Sequence, residues 1–172
     1  SLKKITTQYD KTEDRVFITA LTTDDAVISL WFTQRILVRL IPRVLEWLES
    51  GRKSKRRIDK KSNELINDFA QQAAYASFRK EEPVQASPES ETFRQHKPLA
   101  LINEIDIRYS VQLIQLYFKN EIEIVATLEL TELCARQWLM ILHSQWVRSE
   151  WKTQLLPEEF TKAPATSDLE LH

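Results

Sequence analysis

Short stretches of alternating apolar and polar residues open the chain before the period lengthens. Residues 3–9 (KKITTQY), 15–21 (RVFITAL) and 26–32 (AVISLWF) are rich in β-branched and aromatic side chains and are separated by the polar stretches 10–14 and 22–25. That pattern predicts three strands in an antiparallel meander. In the third, Ile28, Leu30 and Phe32 share one face and Val27 and Trp31 the other. From Thr33, a natural N-cap, Ile36, Leu37, Leu40, Ile41, Val44, Leu45, Trp47 and Leu48 recur at three- and four-residue spacing. They predict a helix with a wide apolar face, kinked at Pro42 and stopped near Ser50 and Gly51.

A second helix is expected over 54–80, its buried face made by Ile58, Leu65, Ile66, Phe69, Ala70, Ala73 and Ala76. Residues 81–98 (EEPVQASPESETFRQHKP) carry three prolines and no periodicity, which reads as a mobile linker. The pattern then predicts a return of the first architecture. Residues 99–109 alternate as one strand, with Leu101, Ile105 and Ile107 opposite Glu104, Asp106 and Arg108. Residues 111–118 and 121–130 follow as a hairpin around Lys119-Asn120, with Ile122, Ile124, Ala126, Leu128 and Leu130 pointing inward. Thr131 then caps a helix reaching about Lys152, apolar around most of its circumference except near Gln137, Ser144 and Arg148. A helix of that kind is expected to be buried on two sides.

The pattern therefore predicts an α+β fold of two antiparallel βββα-like units, with an extra helix and a mobile linker between them. The divisions are 1–80, 81–98, 99–156 and a C-terminal tail at 157–172, the two units packing as one domain. Thr33 aligns with Thr131, Leu40 with Trp138, Val44 with Leu142 and Leu48 with Trp146. An internal duplication explains that correspondence, and coincidence of a common βββα plan is the alternative.

Composition narrows the chemistry. The chain has 172 residues, 42% hydrophobic and 28% charged, with a net charge of −1. It is long enough to bury a substantial core. The one glycine, Gly51, compares with roughly a dozen at average usage. A P-loop, a dinucleotide fingerprint and a Gly-x-Ser-x-Gly elbow, each needing several glycines, are all missing. With one cysteine, Cys134, neither an intramolecular disulfide nor a CxxC zinc knuckle can form, which fits a cytoplasmic setting. No apolar run reaches the roughly 18 residues of a membrane span.

Charge is unevenly placed. Residues 35–61 hold ten Lys or Arg against three acids. Arg35, Arg39 and Arg43 lie four apart on the polar face of the first helix, and Arg52, Lys53, Lys55, Arg56 and Arg57 continue the basic surface. Such a surface suits phosphates or an acidic protein, or is a solvated face. No helix-turn-helix, zinc-finger or RNP-like motif accompanies it, and the isoelectric point near 6.3 is not that of a typical nucleic-acid binder.

Other chemistry is sparse. His143 and Cys134 are nine residues apart on one helix, about 13 Å, too far for a dyad. Glu104, Asp106, Glu121 and Glu123 are the remaining candidates for a metal or acid–base site, although alternating acids commonly mark a solvated sheet face. The five tryptophans sit in or beside the two Thr-capped helices, and Trp138, Trp146 and Trp151 are candidate interface aromatics. The expectation is a non-enzymatic protein with no cofactor and no membrane, acting as a homo-oligomer or with another protein. A nucleic-acid-associated protein using residues 35–61 comes second, and an enzyme of unfamiliar type third.

Overall fold

The computed structural model describes residues 1–53, 69–74, 76, 99–153, 155, 156, 170 and 171. Its first three strands, β1 (Leu2–Asp10), β2 (Arg15–Thr22) and β3 (Val27–Phe32), form the expected meander. The register sets Thr7 opposite Ile18 and Ile18 opposite Leu30, with Val16 opposite Phe32. All five side chains are buried on one face. The opposite face carries Phe17 and Trp31, paired across the strands with ring centroids 4.7 Å apart. Asp10 closes the β1–β2 turn by accepting from the Thr12 and Glu13 amides. Asp14 takes φ 50°, a left-handed conformation that short polar residues tolerate.

α1 (Gln34–Lys53) runs through Pro42 and past Gly51, a little beyond its expected stop. The Ile36 amide donates to Thr33 Oγ1, as the cap predicts. Ile36, Leu37, Leu40, Ile41, Val44, Trp47 and Leu48 are buried. Of the helix expected over 54–80, only 69–74 and 76 lie among the described residues, and they are helical. There the expected face is corrected: Gln71 and Ala74 are buried, whereas Phe69 is 74% exposed. Gln71 turns inward because its Oε1 accepts from the buried Arg136 guanidinium.

The largest departure concerns residues 99–109, which form two strands in two sheets. β4 (Leu99–Leu101) pairs parallel to β3, and β5 (Glu104–Tyr109) pairs antiparallel to β6 (Leu113–Lys119). The crossing is fixed at Ile102, whose amide donates to the Trp31 carbonyl, and at Asn103, whose amide donates to the Lys119 carbonyl. Ile102 is fully buried at this corner, and Leu101, expected to share a face with Ile105 and Ile107, is exposed in the other sheet. β7 (Ile124–Thr131) completes the second sheet in the order β5-β6-β7. The expected two-residue hairpin is a four-residue loop, 120–123, in which Asn120 Oδ1 accepts from the Ile122 and Glu123 amides. Ile122, expected inside, is therefore 90% exposed, and Ile124, expected inside as well, is 53% exposed.

α2 (Glu132–Arg148) starts on Thr131, whose Oγ1 accepts from the Cys134 amide. It ends at Ser149 rather than near Lys152, because Glu150 turns left-handed at φ 57°. The predicted two-sided burial holds. Trp138 Nε1 donates to Thr7 Oγ1 on β1, and Gln145 Oε1 accepts from the Tyr9 amide. Gln137, expected on a polar stripe, is buried. A short strand, β8 (Glu170–Leu171), lies within the stretch read as an unstructured tail and pairs with β1. The first sheet is accordingly mixed, in the order β4-β3-β2-β1-β8.

One continuous core unites the two sheets with α1 and α2. Phe32 of the first sheet and Phe118 of the second meet edge-on with centroids 5.1 Å apart. The fold is thus α+β, and no described helix is long and apolar enough to cross a membrane.

Candidate association surface

The described part of the basic surface lies on α1. Arg35, Arg39 and Arg43 are exposed along one flank, and Arg43 Nη1 sits 3.0 Å from Glu46 Oε2. Arg35 and Arg39 make no ion pair among the described residues. Arg52 and Lys53 close α1, and Lys55, Arg56 and Arg57 lie outside the described residues.

The three candidate aromatics are engaged within the chain. Trp138 is fully buried, and Trp146 is buried with its Nε1 donating to the Thr153 carbonyl at 2.8 Å. Trp151 is half-buried, stacked edge-on against Trp146 and Tyr9, and its Nε1 donates to Asp14 Oδ1 at 2.8 Å. Tyr9 Oη donates to the same carboxylate at 2.6 Å. This bond to Asp14 pushes the Tyr9 phenol up to about 12, since ionising it would set two anions together. The two donors hold the Asp14 carboxyl below its ordinary value. On α2, His143 is held below its ordinary value by burial, and Cys134 is half-buried.

The four candidate carboxylates do not converge. Glu104 and Asp106 lie on the outer face of β5 and both reach Lys119 Nζ on β6. The bond Lys119 donates to Asp106 keeps that amine charged to higher pH, and burial acts against it. Glu121 and Glu123 belong to the 120–123 loop. Among the described residues, no group of three or more His, Cys, Asp or Glu is placed to hold a metal ion.

Among the described residues, five of the eight exposed large apolar side chains surround the second sheet. Tyr109, Val111 and Leu133 are exposed at one end, where Leu113 pairs with Thr131, and Ile122 and Ile124 are exposed at the other. Along β5 the outward side chains are exposed, and Ile105 and Ile107 are only half-buried. This is an edge strand, because β6 is its only partner among the described residues. Between it and α1 runs an open groove of about 330 Å³. Its lining is mixed: Ile36, Leu40, Ile105, Ile107 and Tyr109 are apolar or aromatic, and Arg39, Arg43, Asn103 and Glu104 are polar or charged.

Both ends of β5 are tied down. Its start follows the Ile102 and Asn103 bonds, and just past its end the Ser110 carbonyl accepts from Trp47 Nε1 of α1 at 3.0 Å. The sequence pattern put Ile105 and Ile107 on the face opposite the charges and did not single out Tyr109 or Val111. The available signal was the strand EIDIRY itself, with charges of both signs on one face and large apolar groups on the other.

No family model matches the chain, and comparisons with curated proteins and with solved structures find no match.

Proposed function

We propose that this chain is a non-enzymatic association module whose second sheet joins it to another protein chain, self-association being the favoured form. The observation that carries the reading is the exposed apolar surface around that sheet: Val111 is 66% exposed and Tyr109 59%, beside a groove of mixed lining. Isolated exposed apolar residues are normal, but large ones gathered at an open sheet edge are typical of binding surfaces. Trp138 and Trp146 serve the core in this reading. A cytoplasmic setting and an internal duplication go with it as proposals, the latter supported by two helices whose Thr caps accept from the amide three residues on.

Light scattering across a wide concentration range tests the association. The expected result is a reversible rise in mass with concentration, and a strict monomer at every concentration overturns the reading. A second reading, a nucleic-acid-associated protein, is favoured by Arg35 and Arg39, which are exposed and make no ion pair among the described residues. It requires retention of a mixed DNA and RNA pool at low salt, lost on salt addition and in R35E/R39E. Equal retention by that variant removes it.

A further inference from the structure

The geometry points to β5 as a self-complementary edge: two copies pair antiparallel through it, in the register that sets Ile107 on the twofold axis. This rests on the association reading above and names its surface and partner.

The backbone supplies the first step. The Ser110 amide donates to the Leu113 carbonyl, so Ser110 and Leu113 form a hydrogen-bonded pair at the turn. Such pairs alternate along an antiparallel ladder. Stepping back in twos through the register, Arg108 opposite Gln115, Asp106 opposite Tyr117 and Glu104 opposite Lys119 bond inward to β6. Ile105, Ile107 and Tyr109 therefore turn their N–H and C=O groups to the outer edge. Neither proline nor glycine interrupts the strand, and no bulge falls within its pairing. Edges that must stay single are usually blocked by such features.

The side chains choose the register. Pairing centred on Ile107 brings Ile105 opposite the partner's Tyr109 and Asp106 opposite the partner's Arg108, each contact occurring twice by symmetry. The Ile–Tyr and Ile–Ile pairs fall on the groove side, beside Ile36 and Leu40 of α1. The Asp–Arg pairs fall on the wet face. They are non-hydrogen-bonded pairs, the kind whose side chains come closest. A slip of two residues either way puts Asp106 against the partner's Asp106, or Arg108 against the partner's Arg108. A slip of one residue turns the partner's apolar face to water. Asp106 already meets Lys119, and Arg108 lies over the Tyr117 ring at 5.0 Å, so both side chains extend along the face that the pairing would share.

Charge exchange tests this with the full chain. D106R sets Arg against Arg in a homodimer, and R108D sets Asp against Asp. Each should weaken self-association about tenfold or more. The double variant D106R/R108D should restore it, and so should mixing the two single variants, which pair only with each other. Loss of the Asp106–Lys119 contact is common to D106R and the double variant, so it cannot account for the rescue. In parallel, I107C/C134S should oxidise to a covalent dimer and D106C/C134S should not, because only residue 107 meets its own copy.

Association that persists unchanged in both single variants overturns the edge proposal and leaves the association reading standing on another surface. Weakening without rescue in either the double variant or the mixture overturns the register. A wild-type chain that stays monomeric overturns both.

Discussion

Substituting Thr7 by Val tests the contact that ties β1 to α2. Thr7 Oγ1 accepts the indole N–H of Trp138 at 3.3 Å, and both residues are buried. Valine keeps the shape and strand preference of threonine, so T7V removes the acceptor and little else. The stranded indole donor then pays its desolvation cost of about 1–3 kcal/mol. The bond is long, and the new methyl group gains some burial energy, so the lower half of that range applies, about 1–2 kcal/mol. In a chain of this size that lowers Tm by roughly 2–8 °C. T7S should fall by less, and in W138F, where the donor is gone, the further change T7V should cost almost nothing. Denaturant unfolding of the four proteins completes the cycle. A T7V chain as stable as the wild type, or a T7V cost unchanged in W138F, refutes the claim that this bond links the elements.

Truncating the inter-sheet contact should cost more. Phe118 is fully buried against Phe32, and F118A should destabilise by about 3–5 kcal/mol in chemical denaturation, where loss below 1 kcal/mol would place the ring outside the core. The Tyr9 phenol gives a pH prediction. One of the four tyrosines should titrate near 12 by ultraviolet absorbance, and D14N should return it toward its ordinary value of 10.0. Because the folded pKa is raised, the contribution to stability is complete below 10 and is lost as pH rises through 12. Asp14 has the opposite sign: its folded pKa is depressed, so its contribution is present above 3.8 and disappears as pH falls below it.

Local periodicity carried the first unit well. Period two marked β1 to β3, and Thr33 and Thr131 announced the two helix starts through their hydroxyls. The breadth of apolar residues on α2 foretold burial on two sides. What escaped depended on partners distant in sequence. The change of sheet at Ile102 had a local trace, since adjacent Leu101 and Ile102 break the alternation that a single strand requires. Ile122 stayed in phase with Ile124 and looked internal, yet Asn120 captured the amides of the loop first. Tryptophan count said nothing about where each N–H would find an acceptor. Trp138 found one 131 residues away on β1, and Trp151 one at Asp14. The candidate interface moved accordingly, from large aromatics on a helix to an alternating strand whose significance appears only once it is known to be an edge.

The way β5 is anchored bears on how strongly such an edge pairs. Its start is held through Ile102 and Asn103, its end through the bond from Trp47 to Ser110, and its inner side by the ladder to β6. A partner strand therefore meets a backbone that is already extended, and little further ordering opposes association. Hydrogen exchange reads this directly, residue by residue. In the dilute chain the Asp106 and Arg108 amides, bonded to β6, should exchange slowly, while those of Ile105, Ile107 and Tyr109 exchange fast. Raising the concentration should slow the second set and leave the first almost unchanged. If all five amides slow together, association orders β5 rather than covering a strand already formed. If Asp106 and Arg108 are the fast pair, the ladder has the opposite phase and β5 offers a different set of donors.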